Sequence, residues 1–246
     1  MITSTQNAKV KEWKKLKTRK YRNKLRRFII EGEHLVEEAA QSDWTMVEVI
    51  VSEGYEGQLH NKVNGSIILV SEQVFKEASD TETPQGIAAV IEKKELTFKN
   101  EPYTLLLDSI QDPGNLGTLI RTADAAGFKQ VILGKGTVDV YNEKTVRATQ
   151  GSLFHLSVLQ GELEDVIPKL IDDGIPVYAA ALEGAKAFKE IEPSSSAALL
   201  LGNEGQGIAD AYLQLSTEQV FIPIYGQAES LNVAIAGGIL MYHFKG

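Results

Sequence analysis

From Tyr103 onward the chain alternates apolar runs of strand length with amphipathic runs of helix length, and no other feature of the 246 residues constrains the fold as much. YTLLLDSI is a near-continuous apolar strand, LGTLIRTADAA a helix stopped by Gly127, and KQVILG the next strand, which predicts a strand-helix-strand unit. Further strands are expected around FHLSVL, IPVYAAAL, AALLLG and QVFIPI, separated by helical stretches such as EDVIPKLIDDG. Apolar strands alternating with helices imply an α/β protein with a mostly parallel sheet covered on both faces. Such sheets bind ligands beyond the carboxyl ends of their strands. The loops leaving these strands are therefore where chemistry is expected.

The first part of the chain follows a different pattern. Val10, Trp13, Leu16, Tyr21, Leu25 and Phe28 recur at helical intervals among basic residues, predicting one amphipathic helix with an exposed cationic face. Then FIIEGEHLVEEAA reads as a strand and a helix, TMVEVIV and SIILV as strands, EQVFKEAS as a helix and GIAAVIEKK as a closing strand. Lys93 to Pro102 is charged, aperiodic and ends in Pro, so the expected domains are 1–96 and 97–246.

Charge sharpens that division. Net charge is −8, yet the first 30 residues hold 11 of the 25 basic side chains and, in Glu12, only one of the 33 acidic ones. A basic arm on an acidic body fits contact with nucleic acid; a solvated helix face is the plain alternative. With no Cys, disulfides, thiolate metal sites and a Cys nucleophile are excluded. His34, His60, His155 and His243 are scattered without metal-ligand spacing, and no metal is expected. No apolar run approaches the ~20 residues that span a bilayer, and MITSTQNAK lacks a signal peptide's apolar core, so a cytoplasmic protein is expected.

Three loops carry polar residues in unusual places. In DPGNLG (112–117), Pro113 and Gly114 form a turn, Asn115 stands where an N-cap is expected, and Arg121 lies in the second turn, off the face of Leu116, Leu119, Ile120 and Ala123. LGNEGQGI (201–208) has glycines at 202, 205 and 207 that would let a ligand approach the backbone. Its order is not that of a dinucleotide turn, and Glu204 would repel a pyrophosphate, so a cofactor with a positive centre such as S-adenosylmethionine fits better. In IPIYGQAESLNVAIAGGILMYHF (222–244), Ser230 is the expected N-cap of an apolar, buried helix, with Asn232 as a buried amide in its first turn.

Taken together, NLGTLIRTADAAG (115–127), LLLGNEGQGI (199–208) and IPIYGQAESLNVAIA (222–236) resemble the three motifs of the TrmH/SpoU family of RNA ribose 2′-O-methyltransferases. NAKVKEWKKLKTRKYR, FIIEGEHLVEEA and TPQGIAAV are similar to that family's substrate-binding module, so the resemblance spans nearly the whole chain. It implies an RNA-binding α/β domain like ribosomal protein L30e, joined to a SPOUT catalytic domain with a C-terminal trefoil knot, and a homodimer with active sites at the subunit interface. It places Asn115, Arg121, Glu204, Ser230 and Asn232 at catalytic and substrate-handling positions, and Leu201, Gly202, Ile222 and Leu231 at positions contacting S-adenosylmethionine. Ribosomal RNA of the large subunit is the favoured substrate over transfer RNA. Arg121 suits a phosphate clamp that stabilises developing alkoxide charge, because guanidinium does not deprotonate; Glu204 or a phosphate oxygen is left as proton acceptor. A nicotinamide-dependent oxidoreductase, a non-catalytic RNA-binding protein of the same fold, and methylation at a base nitrogen are the alternatives.

Overall fold

The computed structural model describes residues 1–59, 61–182 and 184–246, so His60 lies outside the described residues. Two compact units result. One comprises Met1–Glu95 with Asp139–Phe154, the other Leu96–Val138 with His155–Gly246.

In the first unit the basic arm forms two helices, α1 (Ala8–Leu16) and α2 (Arg19–Leu25), where one was expected. Asn7 caps α1 by accepting from the Lys9 N–H, and Thr18, extended at φ −107°, interrupts the run. Val10, Trp13 and Leu16 form the docked stripe and join Ile50, Val70, Val74 and Phe75 in one core. Strands β1 (Arg27–Glu31), β2 (Met46–Ser52), β3 (Ser66–Val70) and β4 (Ile87–Glu92) make a sheet of order β1-β4-β2-β3, antiparallel except for the β2–β3 pair. Helices α3 (Glu33–Gln41) and α4 (Glu72–Ala78) pack on it, the latter capped by the Ser71 hydroxyl.

The expected cationic face is neutralised in part. Lys9, Lys14 and Lys17 pair with Glu48, Glu77 and Asp80, Arg26 with Glu95 and Arg27 with Glu12. Arg22 is buried, only 3% exposed, with Nε and Nη2 both donating to Asp139 Oδ2 at 2.9 and 2.7 Å. Lys11, Lys15, Arg19, Lys20 and Lys24 remain exposed, with no acidic partner among the described residues.

Asp139–Phe154, expected in the second domain, belongs to the first unit. It carries α6 (Glu143–Thr149), and the cause is an ion pair plus an aromatic cluster. Asp139 holds Arg22, Tyr141 packs on Phe28 with ring centroids 4.7 Å apart, and Phe154 meets Trp44 edge-on at 5.6 Å.

The second unit holds β5 (Tyr103–Leu107), α5 (Pro113–Ala125), β6 (Gln130–Leu133), β7 (Ser157–Gln160), α7 (Leu163–Asp172) and β8 (Val177–Ala180). After these come β9 (Lys186–Ala187), β10 (Ala197–Leu201), α8 (Asp210–Leu215), β11 (Glu218–Phe221) and α9 (Val233–Lys245). The sheet order is β7-β6-β5-β10-β8-β11-β9, and every pairing is parallel. Central β5 and β10 are buried at every residue, as a parallel strand covered on both faces must be. The chain runs outward from β5 through β6 to β7, then resumes on the opposite side of β5. The topological switch thus lies between β5 and β10.

Candidate active site

Asp112, not Asn115, caps α5: its Oδ1 accepts from the Asn115 N–H at 2.8 Å, with Pro113 at the first helical position. Starting three residues earlier than expected, the helix carries Arg121 in its third turn. Relieved of capping, the Asn115 side chain reaches other loops. Its Nδ2 donates to Glu204 Oε1 at 2.9 Å and its Oδ1 accepts from Asn232 Nδ2 at 3.0 Å. Asn232 in turn caps α9, its Oδ1 accepting from the Ala234 and Ile235 N–H groups at 2.9 and 3.4 Å. The direction of this chain is forced at both ends. A carboxylate only accepts and a helix N-terminus only donates, so each amide between them has one productive orientation.

Two expectations about the last motif change. The cap of α9 is Asn232, and Ser230 lies two residues before it in an exposed loop; Asn232 is exposed as well, not buried. Nor is α9 buried all round. Gly237 lets one face close on α5 and β10, since a Cβ there would meet Leu119 Cδ2 at 2.6 Å and Leu201 Cδ1 at 2.7 Å. Ile235, Ile239 and Tyr242, spaced by four and three residues, lie on another face and are 57%, 38% and 57% exposed.

Beyond β8, β10 and β11 a cavity of about 640 Å³ opens, walled by Leu201, Gly202, Glu204, Ile222, Ser230, Leu231 and Asn232 among others. All four residues expected to contact the cofactor line it, as do three of the five expected catalytic residues. Asn115 adjoins it through Glu204 and Asn232. Arg121 does not: it is exposed on α5, six residues and about 9 Å of helical rise beyond Asn115, outside the cavity wall. Gly202 is required by the loop itself, because a Cβ would lie 2.3 Å from the Gly207 carbonyl carbon and 2.4 Å from the Ile208 nitrogen.

Residues of the cavity wall that the motifs do not single out include Ala180 at the end of β8, Ala181 and Leu182 just beyond it, and Ile224 and Glu229. The rule that ligands sit past strand carboxyl ends points to the first three. The histidines stand elsewhere: His34 Nε2 faces the Gln150 carbonyl at 3.1 Å, His155 Nδ1 faces Asp124 at 2.7 Å, and His243 Nε2 faces the Ile191 carbonyl at 2.7 Å. Among the described residues there is no cluster of three or more His, Asp or Glu able to hold a metal, and no helix long and apolar enough to cross a membrane.

An all-parallel sheet whose strand ends gather three polar loops around one cavity defines a small-molecule-binding α/β domain. Residues 102–242 match the SpoU rRNA methylase family, and residues 7–89 match the MRM3-like substrate binding domain. The chain is 47% identical to the Bacillus subtilis 23S rRNA (guanosine(2553)-2′-O)-methyltransferase RlmP, over 100% of this chain and 99% of that protein. An AdoMet-bound rRNA methyltransferase from Sinorhizobium meliloti superposes with a TM-score of 0.90 at 32% identity, covering 99% of this chain and 96% of that one. The SpoU methyltransferase AviRb from Streptomyces viridochromogenes, in complex with AdoMet, superposes with a TM-score of 0.85 at 25% identity, covering 97% and 98%. The chain belongs to the SpoU rRNA methylase family.

Proposed function

We propose that this protein transfers the methyl group of S-adenosylmethionine to a ribose 2′-hydroxyl of RNA, with 23S rRNA favoured over transfer RNA. The observation that carries the reading is the Asn232–Asn115–Glu204 chain, which joins three loops far apart in sequence around one cavity. The cavity fits the cofactor. Its volume is that of a small-molecule site, its wall combines apolar Leu201, Ile222 and Leu231 with a glycine backbone, and the Glu204 and Glu229 carboxylates suit a cationic sulfonium. S-adenosylmethionine supplies an already electrophilic methyl group, so no metal is needed.

The chain's own residues do the rest. Leu201, Gly202, Ile222 and Leu231 hold the cofactor, and Ser230 and Asn232 shape the mouth of the cavity where the ribose enters. Glu204, oriented by the Asn115 amide, accepts the hydroxyl proton. Arg121 clamps an RNA phosphate and stabilises the developing alkoxide.

Arg121 stands outside the cavity of its own protomer, which supports a homodimer with active sites at the subunit interface. The exposed Ile235, Ile239 and Tyr242 face of α9 offers the apolar surface for that pairing. The C-terminal trefoil knot is read from the family resemblance, with α9 returning from β11 to pack against β10 and α5. The arm-bearing first unit is read as the L30e-like RNA-binding module, and the boundary near residue 96 as the join to the SPOUT domain. A cytoplasmic location is in keeping with an RNA-modifying role.

Mapping alkali-resistant positions in RNA from a strain lacking the gene tests this reading. One 23S rRNA ribose should become alkali-labile, and Arg121→Ala should fail to restore its methylation while still binding S-adenosylmethionine. An unchanged 23S rRNA overturns the substrate assignment, and a purified protein that binds NAD but not S-adenosylmethionine overturns the chemistry.

A further inference from the structure

Asp108 is the first residue past β5 and sits beside the loop that leaves β10, its own N–H donating to the Leu201 carbonyl at 2.8 Å. Only 7% of it is exposed, and among the described residues no cation pairs with it. Burying a carboxylate on neutral donors alone is costly, so the core gives no reason for it. Its Oδ2 accepts from the Ala209 N–H at 2.9 Å, and its Oδ1 lies 3.1 Å from the Ser109 hydroxyl. Ser109 is held at φ +56°, a left-handed conformation unusual for a residue with a side chain, and that turn aims its carbonyl at the same loop. The carbonyl accepts from Asn203 Nδ2 at 2.8 Å.

The loop is thus tied down at both ends. Asn203 organises what lies between. Its Oδ1 accepts from the Gly205 and Gln206 N–H groups at 2.9 and 3.0 Å, and its backbone exchanges two hydrogen bonds with Gly207 at 2.9 and 3.0 Å. The segment so fixed, residues 202–207, lines the cavity and carries Glu204.

We infer that Asp108 is a positioning residue for cofactor binding, holding the 202–207 loop in its binding shape from beneath through Ala209, while Ser109 does the same through Asn203. The inference rests on reading this loop as part of the S-adenosylmethionine site. Neither residue touches the cavity, so the effect must pass through the loop.

The test measures the S-adenosylmethionine Kd, KM and kcat of full-length Asp108→Ala, Asp108→Asn and Asn203→Ala, beside their melting temperatures. Losing a hydrogen bond to a charged acceptor predicts a Kd and KM for S-adenosylmethionine raised about ten- to a hundredfold in Asp108→Ala, with a much smaller change in kcat. Asp108→Asn keeps an acceptor for Ala209 and should restore most of the affinity. Asn203→Ala cuts the second tether, should weaken the cofactor in the same way, and decides the matter if Asp108→Ala does not fold. An unchanged Kd in folded Asp108→Ala and Asn203→Ala, or a melting temperature that falls with no change in KM, overturns the positioning role. Failure of the unmodified protein to bind S-adenosylmethionine would instead overturn the functional reading beneath it.

Discussion

The Asn115 side chain, near the start of one helix, donates to the carboxylate of Glu204, 89 residues away, at 2.9 Å, and accepts from Asn232 on its other atom. Asn115 is therefore the link that fixes Glu204 relative to the mouth of the cavity. Asn115→Ala should leave S-adenosylmethionine affinity within a fewfold of normal while lowering methyl transfer by roughly 10²–10³, the usual loss for one positioned polar group. Single-turnover transfer of a tritiated methyl group reads this directly. Near-normal rates would show that Glu204 needs no partner or takes no part.

Gly202→Ala should weaken cofactor binding even though alanine is small. The added carbon would strike the backbone of Gly207 and Ile208 at 2.3–2.4 Å, and no flexible side chain is there to yield. The damage is to the loop's own closure, not only to space the cofactor occupies. Calorimetric titration with S-adenosylmethionine should give a markedly raised Kd with the sheet intact, and an unchanged Kd would mean that residues 202–207 do not contact the cofactor.

Much of this was legible in the sequence because period and composition are local. The continuous apolar runs of β5 and β10 read as doubly buried parallel strands and are buried throughout. What escaped depends on partners distant along the chain. Asp112 and Asn115 are both good caps, and only the reach to Glu204 shows which of them is free for other work. The arm looked like an exposed cationic face because Glu48, Glu77, Asp80 and Asp139 lie 39 to 117 residues away from the cations they neutralise. Strand β9, two residues long, is too short to carry any period. Asp108 did carry a signal, a charge closing an apolar strand, but its role emerges only from the loop it holds.

Tyr141 makes the first unit sensitive to alkali. Burial, reinforced by the Asp139 charge and opposed by Arg26, pushes its phenol up to about 12 from an ordinary value of 10.0. The folded state therefore holds this proton more tightly than the unfolded chain. The resulting stability is fully present below about pH 10 and is lost as the pH rises toward about 12, by on the order of 2–3 kcal/mol. Both tryptophans, Trp13 and Trp44, lie in this unit, so their fluorescence follows its unfolding selectively. Urea midpoints taken at about pH 9 and about pH 11.5 should fall further apart for the wild type than for Tyr141→Phe. An equal fall in both would assign the alkaline loss to other groups.

The basic arm separates into cations that hold the fold and cations that stay exposed. Lys11, Lys15, Arg19, Lys20 and Lys24 are exposed without acidic partners among the described residues, and Lys15 and Lys20 lie over the Tyr21 ring at 5.5 and 6.0 Å. Each phosphate contact adds roughly −0.7 to −0.9 to the slope of log K against log salt, so changing all five to Gln should flatten that slope by about 3.5–4.5 units if each meets a phosphate. Stability should change little, because apart from the contacts of Lys15 and Lys20 with the Tyr21 ring, worth about 0.5–1 kcal/mol each at an exposed site, these side chains support nothing beneath them. Changing Lys9, Lys14 and Lys17 to Gln removes surface ion pairs that contribute little to stability and should leave the slope nearly unaltered. Arg22→Ala behaves differently again. It strands a buried Asp139 carboxylate and should lower stability by about 3–5 kcal/mol with no direct effect on phosphate contacts. S-adenosylmethionine affinity should survive all three sets of changes, since the cavity belongs to the other unit. A fivefold variant with an unchanged salt slope would remove the arm from RNA contact, whatever its effect on melting.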